Sequence, residues 1–150
     1  MIDAKSIMYD EGRRQALALQ EASSGMTGTE LNAADDRIPD FREAVKVKNM
    51  LQRKAGQIDG FVSRSSAGRV VRLIQKYDSD TFTGEPEDLP AQFRFVWSTD
   101  PAKARPFISS ATSYYNKGDC CLNAAGQPVR SNIDVNTWDP DVSPQFWDAV

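Results

Sequence analysis

Apolar positions in the first quarter of the chain recur at helical spacing. Met8, Gly12, Ala16 and Leu19 form one stripe, widened by Ile7 and Leu17, and predict a helix from residue 1 to about 24 that ends at Ser23-Ser24-Gly25. Thr27-Gly28-Thr29-Glu30 has the spacing of a capping box and predicts a second, short helix. Asp35 to Asp40 reads as a turn or extended link, because Ile38 precedes a proline. Residues 41–53 place Phe41, Ala44, Val45 and Leu51 on one helical side, although Val45 and Val47 suit a strand as well. From about Gly56 the pattern changes to short apolar runs punctuated by Gly, Pro and Asp, the signature of small antiparallel sheets. Val70 to Ile74 is one strand; Gln92 to Trp97 is another, with Phe93, Phe95 and Trp97 alternating onto one face. Asp100 to Pro106 is a proline-bounded connector with room for one helical turn, and a second short-strand region runs from Tyr114 to Val150.

The two strand regions match each other. Gly60, Gly68 and Val71-Arg72 recur as Gly118, Gly126 and Val129-Arg130, and, after a four-residue deletion, Pro86, Pro90 and Phe93 recur as Pro140, Pro144 and Trp147. Paired glycines suit tight turns around a hairpin strand. The Val-Arg pair is expected on the return strand, one side chain in and one out. The prolines rigidify a loop that delivers Phe93 or Trp147 onto a small core. One order of residues with a single deletion points to duplication. Units of about 40 residues bury little core alone, so they are expected to pack on each other or on the helices. The predicted class is α+β: an N-terminal helical segment (1–54), a first β module (55–100), a linker (101–112) and a second β module (113–150).

Composition narrows the chemistry. The chain has 150 residues, no His, 2 Cys, 18 Lys and Arg against 21 Asp and Glu, and a mean hydropathy of −0.52. Without His there is no Ser–His or Cys–His dyad and no His-ligated metal. The acidic balance argues against nucleic acid as a partner. The basic cluster Arg42, Lys46, Lys48, Arg53 and Lys54 reads as a solvated helix side. Adjacent Cys120 and Cys121 point to opposite faces of a strand and read as small apolar side chains, neither bridged nor metal-binding. The first residues lack an apolar signal segment and no run is long enough for a membrane span, so synthesis and folding in a reducing cytosol are expected. Tyr77 and Phe82 flank the acidic loop of Asp78 and Asp80 and are candidates for exposure. The carboxylates sit in turn-like contexts and form no catalytic pair, so the expectation is not an enzyme, with no cofactor and no metal.

Tyr115-Asn116-Lys117-Gly118-Asp119, Gly126, Val135-Asn136-Thr137-Trp138-Asp139-Pro140 and Pro144-Gln145-Phe146-Trp147 together resemble the small chitin-binding-type carbohydrate-binding modules at the ends of chitinases and cellulases. The likeness covers roughly residues 113–150 and more faintly 55–97. It implies a short twisted antiparallel β module that binds polysaccharide through exposed aromatics. Trp138 falls at the loop tryptophan that stacks on sugar, Tyr115 at the opening tyrosine and Trp147 at the closing core tryptophan. Gln127-Pro128-Val129 departs from the pattern, which has an aromatic after the hairpin glycine. Gly84 stands in the first copy where the second has Trp138, so only the second copy keeps a platform. Asn132, Asp134, Asn136 and Asp139 supply polar neighbours. The carbohydrate-binding candidates are Trp138, Tyr115, Asn136 and Asp139; the competing reading packs Trp138 on Pro140 or a partner subunit.

The whole chain, notably Leu89 to Ala104 and Lys117 to Cys121, also resembles small proteins encoded beside tail-fibre and baseplate genes of bacteriophages that infect Gram-positive bacteria. That likeness implies a virion component made in the host cytoplasm. Its partners would be tail-fibre or baseplate proteins and host cell-wall polysaccharide, and a homo-oligomer is compatible with it. The helical stripe Met8, Gly12, Ala16 and Leu19 is then the candidate assembly interface. A purely structural or decoration role, or a tail-fibre assembly chaperone, is the alternative.

Overall fold

A computed structural model describes residues 4–110 and 112–150, with side chains of the first helix from Glu11 onward. The first helix, α1, spans Ala4–Ala22 and tightens into a 3-10 turn at Ser23–Gly25. α2 (Gly28–Ala33) starts at the expected capping box: the Thr27 hydroxyl accepts from the Glu30 amide at 3.1 Å, and the Glu30 carboxylate accepts from the Thr27 amide at 3.2 Å. α3 (Phe41–Val47) starts where the Asp40 carboxylate accepts from the Glu43 amide. It is shorter than the 41–53 pattern predicts. Lys48 is extended, and Asn49 then caps a separate 3-10 turn, Met50–Gln52. The break resets the helical phase, so Met50 is buried and Leu51, expected on the inner side, is exposed. No helix among the described residues is long and apolar enough to cross a membrane.

The described strands form two three-stranded antiparallel sheets. β1 (Val62–Arg64), β2 (Val70–Leu73) and β3 (Phe93–Phe95) make the first; β4 (Cys120–Leu122), β5 (Pro128–Ser131) and β6 (Trp147–Ala149) make the second. Their registers superpose at the spacings of the sequence repeat. Val62 faces Arg72 as Cys120 faces Arg130, and Leu73 faces Phe93 as Ser131 faces Trp147. The hairpin turns repeat too. Ser65 and Asn123 each accept from the following glycine's amide at 2.9 Å, and Gly68 and Gly126 have φ of 84° and 78°, where a side chain would be strained. In the proline loops, Asp88 bonds Glu85 as Val142 bonds Asp139, and Gln92 bonds Leu89 as Phe146 bonds Ser143.

The repeat also begins earlier than its sequence pattern. A 3-10 turn precedes each module, Asp35–Arg37 and Pro101–Lys103, with matching closing bonds from Ile38 to Asp35 and from Ala104 to Pro101. Each turn leads into a segment that edges the first strand in parallel, Asp40 beside Arg64 and Pro106 beside Leu122. Phe41 and Phe107 follow. Each sets its ring edge-on to the aromatic of its own third strand: Phe41 to Phe93 at 5.4 Å and 86°, Phe107 to Trp147 at 6.1 Å and 82°. The stretch 101–112, expected as a linker, is therefore in its first half the edge of the second module. Tyr77 and Tyr115 fill the same role from non-equivalent places, edge-on to Phe93 and to Trp147.

Three cores result. Phe41, Met50, Val71, Leu73, Phe93 and Phe95 form one under the first sheet. Leu19, Leu31, Ile38, Val62 and Val70 form another between its opposite face and the helices. Tyr115, Cys121 and Trp147 form the third, and Trp97 packs on both the first and the third. Because helices cover the far face of the first sheet, the Val-Arg pair there is not one in and one out: Val71 and Arg72 are both buried. Arg72 donates to the Ser23 and Gly60 carbonyls at 3.1 and 2.9 Å. Gln20 of α1 brackets Val62, accepting from its amide and donating to its carbonyl. At the equivalent Cys120, the amide donates to the Ser98 carbonyl instead, so α1 covers the first module's edge as residues near Ser98 cover the second's.

Candidate functional site

The loop from β5 to β6 carries the most exposed aromatic side chain described in the second module. Trp138 is 52% exposed and stacks on Phe146, with ring centroids 5.4 Å apart and planes at 28°. Its aromatic support is Phe146. Two hydrogen bonds fix its backbone: its amide donates to Asn136 Oδ1 at 3.0 Å, and its carbonyl accepts from Trp147 Nε1 at 2.8 Å. The backbone that carries the ring is thus held by the module's own core tryptophan.

Tyr115 and Asn136, both proposed from the sequence as sugar contacts, are fully buried. Tyr115 stacks on Trp97 at 4.2 Å and 13°, and burial holds its phenol far above the ordinary tyrosine range. Asn136 pairs backbone to backbone with Tyr115 and donates its amide to Ser131 Oγ and the Phe146 carbonyl. Both are pins for the loop, and neither offers surface to a ligand. Asp139 is half-buried and caps a turn, its carboxylate accepting from the Asp141 amide at 2.8 Å. Asn132 is committed to Gln145 and Asp148, and Asp134 to the Lys117 amide. The free polar groups are Thr137 and Gln145, exposed side chains that make no hydrogen bond and adjoin Trp138 and Phe146 in the chain. Sequence reasoning missed them; their adjacency to the two stacked rings was the available signal.

Val135, three residues before Trp138, has φ of 49° and is exposed. A β-branched residue is strained there. The loop tolerates it because Val135 is followed by the buried pin Asn136, and its amide donates to Asn116 Oδ1. Val135→Gly is expected to raise stability in urea unfolding by about 1 kcal/mol, with the Trp138 environment unchanged. A loss of that size would show that the Val side chain contributes contacts outweighing the strain.

The other candidate positions separate. Gly84, equivalent to Trp138, provides no ring, and Gln92 stands where Phe146 does, so the first module has no such platform. Phe82 is exposed as expected, but Tyr77 is buried, its phenol pushed up to about 12 by desolvation. In the helical stripe Leu19 belongs to the chain's own core, Ala16 is half-buried and Gly12 is exposed with open space around it; the Met8 side chain lies outside the described residues. Leu19 is therefore no longer a candidate for assembly. Cys120 and Cys121 are free and buried, and burial pushes the Cys121 thiol up to about 12, against a reactive thiolate.

The acidic groups serve the backbone. Glu85 accepts from the Ser66 amide and pairs with Arg42, Asp88 accepts from the Glu85 amide, and Asp141 from the Ala124 amide. Hydrogen bonds from Asn49 and Thr81 hold the Asp78 carboxyl below its usual range. Asp119 is the exception in direction: desolvation raises it, while its carboxylate accepts from the Asn116 amide. Among the described residues no group of three or more acidic or cysteine side chains is arranged to hold a metal ion. No protein family matches the chain, and comparison with characterised proteins and with solved structures returned no similar one.

Proposed function

We propose that this chain is a non-catalytic binding protein whose second module presents Trp138 to a sugar ring of a surface polysaccharide. The observation that supports it is the stacked Trp138–Phe146 pair, half in solvent yet clamped by Asn136 and Trp147. A flat apolar ring with a rigid backbone loses little entropy on stacking, and the free Thr137 and Gln145 side chains offer hydrogen bonds to hydroxyls. The carboxylates are spent on turns, which favours binding over hydrolysis. On the likeness of the sequence to phage tail-associated proteins, the setting is the tail fibre or baseplate of a bacteriophage, and the polysaccharide that of the host wall. A second reading, a structural part of the particle, draws on Val142, which is 79% exposed on the same loop and suits a protein neighbour better than a sugar.

The two readings separate in one experiment. Trp138→Ala is expected to abolish retention on isolated Gram-positive cell walls or on chitin, with thermal stability nearly unchanged because the ring is half exposed. Equal retention of variant and parent would reject the glycan reading; failure of both to bind, with the protein present at fixed stoichiometry in purified particles, would favour the structural one.

A further inference from the structure

A second surface, independent of Trp138, lies between α1 and α3. Residues of both helices line a groove of about 950 Å³. Its apolar lining includes Leu17, Val47 and Phe61, of which Leu17 is 61% and Val47 81% exposed. Two aliphatic side chains so far in water belong to none of the chain's own cores. The charge of the groove is equally uneven. Arg14 pairs with Glu11, and Glu43 with Lys46. Arg53 also lines the groove, and its guanidinium lies 4.3 Å over the Phe61 ring and donates to the Ala44 carbonyl. Among the described residues no carboxylate pairs with it.

We propose that this groove is a docking site for an amphipathic helical segment of a partner protein, whose apolar side chains lie between Leu17 and Val47 and whose carboxylate meets Arg53. A helix laid in a groove formed by two helices is a common mode of recognition, read out by apolar anchors at helical spacing. The acid is specified by complementarity: an unpaired, partly desolvated cation gains most from a carboxylate in the same low-dielectric place. A cationic helix would bring like charge to Arg53.

The probe is a short helix-forming peptide with Leu at every third or fourth position and Glu between, labelled for fluorescence anisotropy, beside a twin with Lys in place of Glu. The acidic probe is expected to bind the full chain at least about tenfold more tightly than the twin. Val47→Asp and Leu17→Asp, both at exposed positions and expected to keep the parent's thermal unfolding, and Arg53→Gln are each expected to weaken it by about tenfold. Equal binding of the two probes, or binding untouched by Val47→Asp, would overturn the proposal. So would reversible self-association in sedimentation that Leu17→Asp abolishes, since that assigns the groove to a second copy.

Discussion

Replacing Trp97 by Ala is expected to cost about 3–5 kcal/mol and to loosen the two modules from each other. The indole is the second member of a continuous stack of four rings. It lies on Phe95 at 5.5 Å and 18° and on Tyr115 at 4.2 Å and 13°, and Phe107 continues the row beyond Tyr115 at 5.6 Å. Its Nε1 donates to the Ser113 carbonyl at 2.9 Å. Truncation opens a void against both cores and leaves that carbonyl without its donor. Urea unfolding followed by tryptophan fluorescence should show a lower midpoint and a smaller dependence on denaturant, as cooperativity between modules is lost. Trp97→Phe keeps the stack and should recover more than half of the loss. A cost below about 1 kcal/mol with unchanged cooperativity would mean that the modules are held by something else, such as the Arg69 bond to the Pro106 carbonyl and the Arg105 bond to the Gly68 carbonyl.

Arg72→Ala is the second large effect, with an expected loss of about 3 kcal/mol. Arg72 is 5% exposed and has no carboxylate partner among the described residues; carbonyls of Ser23 and Gly60 hold it at the C-terminal end of the first helical segment. Removing it strips charge-assisted bonds from two buried acceptors and cuts the tie between α1 and the sheet. Amide exchange in residues 11–22 should accelerate before exchange in β1 to β3. Lys, a point donor, cannot span both carbonyls and should not restore stability. The duplicate supplies the control. Arg130, at the same ladder position, is only partly buried and donates to one carbonyl, that of Thr99 at 3.3 Å, so Arg130→Ala should cost no more than about 0.5 kcal/mol. Equal costs at the two positions would contradict the account of how α1 is attached.

The contrast between Arg72 and Arg130 shows where reading the chain succeeded and where it ran out. The α+β class and the hairpin-and-proline part of the duplication were visible because Gly, Pro and aromatic residues sit where backbone geometry demands them. The start of each unit was not. Phe41 and Phe107 hold equivalent places, but the first copy carries eight more residues before its hairpin, Phe41 to Gly60 against Phe107 to Gly118, and the added turn around Met50 throws the spacing out of step. Periodicity likewise could not tell that α1 would cover the far face of the first sheet, which turned Arg72 from a surface residue into a buried one. At the site, the same blindness to burial made Tyr115 and Asn136 look like ligands. Spacing located the loop; only packing separated its pins from Trp138, the ring that remains in water.

The most direct test is an NMR titration of the full isotope-labelled chain with soluble chitin oligosaccharides and with cell-wall fragments. Binding by stacking predicts shifts of the Trp138 indole and of the Thr137, Asp139 and Phe146 amides, while the indoles of Trp97 and Trp147 stay near their free positions. No change at Trp138 at saturating sugar, or changes centred on another surface, would contradict the proposal that the second module binds polysaccharide through this ring.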